Sequence, residues 1–185
     1  MAGGRLMSDS RQRRQRPGCT VVVMSKRIAT TMTVHAIPAD ELEEVRRSGR
    51  DVAGHRPVRW PNPAGMPLRC CLRRATPDDD VLLISHAPLG QPSAWREVGP
   101  VFIHAQPCAG YDDTAGLPVE LRQGPKVLRG YRSDGSLDYD AIRTVDPGED
   151  IERPLLELLG ATDVHEVHVR ALREQCFTYL VRRSS

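Results

Sequence analysis

Residues 81–86, Val-Leu-Leu-Ile-Ser-His, constrain the fold more than any other stretch of this 185-residue chain. A strand with one wet face alternates apolar and polar side chains. A continuous apolar run this short suits a strand that is central in its sheet and covered on both faces. It therefore calls for neighbouring strands and a covering layer within one ordinary domain. Aromatic residues make up only 4% of the chain, so the covering core must rest on Val, Leu, Ile and Ala.

The flanking sequence supplies partners for that strand. Short strands are expected at 33–37, 68–73, 100–105, 126–132, 136–145, 166–171 and 176–182. Asp134-Gly135 marks a hairpin turn, because this pair favours positive φ. Two helices are expected. Residues 39–47 carry acids early and bases late, with Pro38 before them and Gly49 after. Residues 147–159 end at Gly160, with Pro154 near the true start and Leu155, Leu156, Leu158 and Leu159 on the buried side. Residues 117–122 are expected to form a single helical turn, and 50–66 reads as loop. The expected fold is α+β: a single domain over 32–183 with a mostly antiparallel sheet and two flanking helices.

Charge divides the chain. Residues 1–31 carry seven Lys/Arg and one Asp, and the remainder carries nineteen Lys/Arg against twenty-three Asp/Glu. The first stretch, rich in Gly, Arg, Gln and Ser, is expected to be a disordered basic tail, with Met32 as an alternative start. The mildly acidic remainder is a poor partner for nucleic acid. No apolar run approaches the ~18 residues of a membrane span. The five cysteines form no regular disulfide framework, which points to reduced thiols and a cytoplasmic location.

The residues that carry chemistry cluster near the middle and the end. Val101-Phe102-Ile103 ends in His104, and the turn at Pro107 delivers Cys108. Period-two alternation puts His168 and Arg170 on one face of their strand, with Val167 and Val169 on the other. A metal reading uses Cys71, His104, Cys108 and Cys176 as thiolate and imidazole ligands, with zinc as the candidate ion. On a strand, Cys70 and Cys71 would point opposite ways, so only one of them would ligate. An anion reading uses Arg96 and Arg170 with the imidazoles of His104 and His168. A nucleophilic thiol beside histidine is a third reading, with no oxyanion-hole motif to accompany it. The sequence thus points to a small-molecule or metal binder near His104 and His168. The alternative is an interaction module whose cysteines are structural.

Cys71-Leu72-Arg73, the strand 81–85, the run from Arg96 to His104 with Cys108, and Val167-His168-Val169-Arg170 with Cys176-Phe177 together resemble a bacterial family known as domain of unknown function 1203. The resemblance covers about Met32 to Arg182, and the run ending at His104 is its specific part. Members of that family often carry a Cys-x-x-Cys ending at the position of Cys71, where this chain has Leu68 in first place. They also carry a cysteine at the position of Tyr179. Both departures weaken a shared metal cage here. The resemblance implies a compact bacterial domain with no established activity, and it fits Met32 as the natural start.

Overall fold

A computed structural model describes residues 31–113 and 115–184. The expected tail, apart from Thr31, lies outside the described residues. The fold is α+β and mostly antiparallel, with strands β1 (Met32–His35), β2 (Val58–Arg59), β3 (Val81–His86), β4 (Gly99–His104), β5 (Lys126–Tyr131), β6 (Leu137–Val145), β7 (Glu166–Ala171) and β8 (Phe177–Arg183). Its helices are α1 (Ala39–Ser48) and α2 (Glu152–Leu159). Among the described residues, no helix is long and apolar enough to cross a membrane.

The strands form two sheets rather than one. Five pair in the order β1-β8-β7-β5-β6 and three in the order β2-β3-β4. The apolar run 81–86 is the middle strand of the smaller sheet, held between β2 and β4. Val81, Ile84 and His86 are buried and Leu82, Leu83 and Ser85 half-buried; Val81 lies on the opposite face from Ile84 and His86, so both faces of β3 are partly covered. β2 is a two-residue edge inside the expected loop, too short to leave a pattern in the sequence.

In the larger sheet, β7 is central, paired with β5 and β8. Its alternation is as the sequence implies: Val167 and Val169 enter a core built with Leu128, Tyr179, Val181 and the α2 leucines. Glu166, His168 and Arg170 take the other face, yet they too are buried, because that face looks toward the smaller layer. Phe177 belongs to the core of that layer, with Ile37, Leu42, Val81, Ile84, Val101 and Ile103.

Local chemistry explains the helix boundaries. α1 starts after Pro38 and stops at Gly49, whose φ of 64° lets its N–H reach the Val45 carbonyl. Leu42 and Val45 are its buried residues. α2 begins at Glu152, close to the expected true start at Pro154, because Pro147 and Gly148 belong to the preceding turn. Its buried residues are Leu155, Leu158 and Leu159, and Leu156 is half-buried.

Candidate metal centre

The segment 67–74 is not the strand expected at 68–73. Pro67 bridges Arg74, the Leu68 N–H donates to the Arg73 carbonyl, and the Leu72 N–H donates to the Leu68 carbonyl. Leu72 takes a φ of 55° to close this tight turn. The turn docks on the free edge of β4, where Leu68 bridges Phe102 and the Arg69 N–H donates to the Phe102 carbonyl. Strand alternation therefore does not apply to Cys70 and Cys71. Their sulfurs lie 3.9 Å apart and face the same place.

That place is the end of β4. His104 Nδ1 is 3.3 Å from Cys70 Sγ and 3.8 Å from Cys71 Sγ. After the turn at Pro107, the Cys108 thiol completes a group in which the four donor atoms all lie within 4.8 Å of one another. α1 ties down this strand end through Arg46 Nη2, which donates to the His104 carbonyl at 3.1 Å. Cys70 and Cys108 also line a cleft of about 660 Å³ beside α1, which gives the thiols access to solvent.

A second set of residues fixes the imidazole from behind. Arg73 Nη2 lies 2.9 Å from His104 Nε2. A guanidinium can only donate and a carboxylate can only accept; the Arg73 contact is shorter than the Asp79 contact at Nε2 and favours a lone pair there, with the proton on Nδ1 facing the sulfurs. Arg73 is itself held by Asp79 through two hydrogen bonds of 2.7 and 2.9 Å, and Asp79 Oδ1 is 3.3 Å from His104 Nε2. Those Arg73 bonds, with the N–H and hydroxyl of Thr76, hold the Asp79 carboxyl well below the usual carboxylate range. The hydrogen bond that Cys70 donates to Cys71 draws the Cys71 thiol down to about 6, against the effect of burial, with help from the Arg73 N–H and the nearby charges. The same bond, with burial, pushes Cys70 up. Between the two, Cys71 is the thiol that ionises more readily.

Of the expected site residues, the fold brings Cys71, His104 and Cys108 together and adds Cys70. Cys176 is not one of the four. It closes the β7–β8 hairpin, where its sulfur accepts from Arg69 Nη2 at 3.2 Å. His168 is also elsewhere. It is fully buried in the central strand, with Nε2 2.8 Å from Glu166 and its ring against Tyr131 and Phe177. Phe177 in turn touches His86, which pairs with Gly99 at the far end of β4 from His104. Five residue steps of strand, about 16 Å, separate those two ends. Arg170 binds Glu97 at that far end. Arg96 is half-buried in the preceding loop, its backbone N–H donating to Ser93. The arginine that joins the thiol–imidazole group is Arg73. It and Asp79 escape a reading of the sequence, where Asp79 looks like one acid of a polar turn.

Taken together, the chain is a two-sheet α+β domain with a Cys/His group at the end of β4, the edge strand of the smaller sheet. Residues 65–183 match the family described as Protein of unknown function (DUF1203), and the chain belongs to that family. No curated protein and no solved structure matches it.

Proposed function

We propose that the chain binds a thiophilic metal ion, zinc being the natural fit, through Cys70, Cys71, His104 and Cys108. The carrying observation is the spacing of the donors. A tetrahedral zinc site with Zn–S near 2.3 Å and Zn–N near 2.05 Å has edges of about 3.8 Å between sulfurs and about 3.6 Å between sulfur and nitrogen. The separations among Cys71, Cys70 and His104 are 3.9, 3.3 and 3.8 Å. Cys108, on its exposed loop, brings a third sulfur within 4.8 Å of the other three donors. Three sulfurs and one imidazole are a soft donor set that favours zinc over oxygen-seeking cations.

Binding would exchange protons for metal. The thiols that hold protons would give them up, and the Nδ1 proton of His104 would move to Nε2, where a hydrogen bond to Asp79 Oδ1 would replace the one from Arg73. With four protein donors the site is closed, and its role is to pin the 67–74 turn, β4 and the 107–111 loop to one another.

Elemental analysis of tag-free protein tests this reading. Stoichiometric zinc is expected, with loss of most of it in Cys71→Ser and in Cys108→Ser. Wild-type protein that takes up no zinc from micromolar solution, or serine variants that keep the full amount, would leave the cysteines as packing residues only.

A further inference from the structure

A second polar group lies at the opposite end of β4 from the thiols. Arg129 on β5 and Arg170 on β7 project from the same face of the large sheet, because Arg129 pairs with His168, two residues from Arg170. Both guanidiniums converge on Glu97 in the loop before β4. Arg129 Nη1 donates to Oε1 at 2.9 Å, and Arg170 Nη2 lies 2.5 Å from Oε2. Gln175 holds both from the other side: its side-chain oxygen accepts from Arg129 Nη2 and its carbonyl from Arg170 Nη1, each at 2.9 Å. Arg170 Nε is buried and has no hydrogen-bond partner.

The burial of this group is lopsided. The side chains of Arg170 and Arg129 are 7% and 20% exposed, whereas that of Glu97 is 47% exposed. Desolvating two cations is costly, and one half-solvated carboxylate is a weak return for it. Glu174 also lines the cleft these residues enclose, but it faces two further cations, Arg69 and Lys126. The cleft measures about 300 Å³ and is also bounded by His86, Gly99 and Pro100. That is the small end of the range for ligand sites. Guanidinium forks match the planar oxygens of carboxylate and phosphate, and here strands and Gln175 fix the forks in advance. The carboxylate that fills them comes from a loop.

We propose that Arg129 and Arg170 form a binding site for a small carboxylate or phosphate anion, and that Glu97 is the internal carboxylate such an anion displaces. This is independent of the metal reading and uses none of its ligands.

Calorimetric titration with inorganic phosphate and, separately, malonate tests it and distinguishes the two anion types. Glu97→Gln removes the competing charge while keeping side-chain length. It is expected to bind one of the two probes at least about tenfold more tightly than wild type, the scale of one charge-assisted hydrogen bond. Adding Arg129→Gln to it is expected to abolish that gain. A folded Glu97→Gln variant with no gain for either probe overturns the proposal, and so does a gain that survives Arg129→Gln. Glu97→Ala is read in the same way should the amide variant fail to fold.

Discussion

At the scale of single residues, Asp79 does the most with the least sequence signal. One oxygen takes a hydrogen bond from Arg73 and lies 3.3 Å from His104, and the other takes bonds from Arg73 and Thr76. It thereby fixes Arg73, whose guanidinium meets the imidazole, without touching the thiols. On the zinc reading it becomes the acceptor for the Nε2 proton. Partners of this kind contribute about 10- to 100-fold to metal affinity. Asp79→Asn retains an oxygen for the Thr76 N–H, so the turn should persist while the charge behind His104 is lost. The expected result is zinc affinity reduced by about tenfold or more in a chelator competition, with a circular dichroism spectrum like that of wild type. Unchanged affinity would show that the imidazole needs no support from this side.

At the scale of elements, what could be read from the sequence was what each segment carries within itself. Asp134-Gly135 set the β5–β6 hairpin, and the turn forms with Gly135 at a φ of 79°. Acids, bases and Gly49 framed α1. His104 and Cys108 meet because only three residues, the last of them a proline, lie between them. Pairing between distant strands leaves no such mark. Alternation put His168 opposite Val167, but not in the middle of a five-stranded sheet, so His168 looked free to join His104. Nor does alternation reveal where it stops: the 67–74 turn, closed by Leu72 at positive φ, sets Cys70 beside Cys71. Gly130 in β5 shows a further demand visible only in three dimensions. A Cβ there would lie 2.6 Å from the Ala141 Cβ and 3.2 Å from a Val164 methyl. Gly130→Ala should therefore destabilise the fold by about 1–3 kcal/mol, the usual cost of overpacking, despite alanine's ordinary compatibility with strands. Denaturant melts measure this, and a neutral result would mean that β5 and β6 can part locally.

At the scale of the whole molecule, the two layers meet over ionisable groups rather than over hydrocarbon alone. Glu166 and His168 lie on the face of the large sheet that looks toward the smaller one, and Arg182 of β8 donates two bonds to Glu166. Burial holds the His168 imidazole neutral, below its ordinary 6.5, against the pull of Glu166. Its Nε2–H then donates to the carboxylate, leaving Nδ1 as the bare, unpartnered nitrogen. Burial also acts on Glu166, pushing its pKa up, but the bond from His168 and the Arg182 guanidinium outweigh it and draw the value down to about 2. Both shifts have the same sign for stability. Each group takes up its proton more readily in the unfolded chain, so acid favours unfolding. The His168 contribution is complete above pH 6.5 and begins to be lost below it. The Glu166 contribution is complete above its ordinary 4.5 and is lost as the pH falls toward 2; at full strength it amounts to about 3 kcal/mol. Glu166→Gln should lower stability at pH 7 and flatten the lower part of this profile. The upper part, which belongs to His168, should remain. Thermal melts of wild type and Glu166→Gln between pH 8 and pH 3 separate the two windows. Parallel curves throughout would show that the carboxylate between the layers has no part in the acid response.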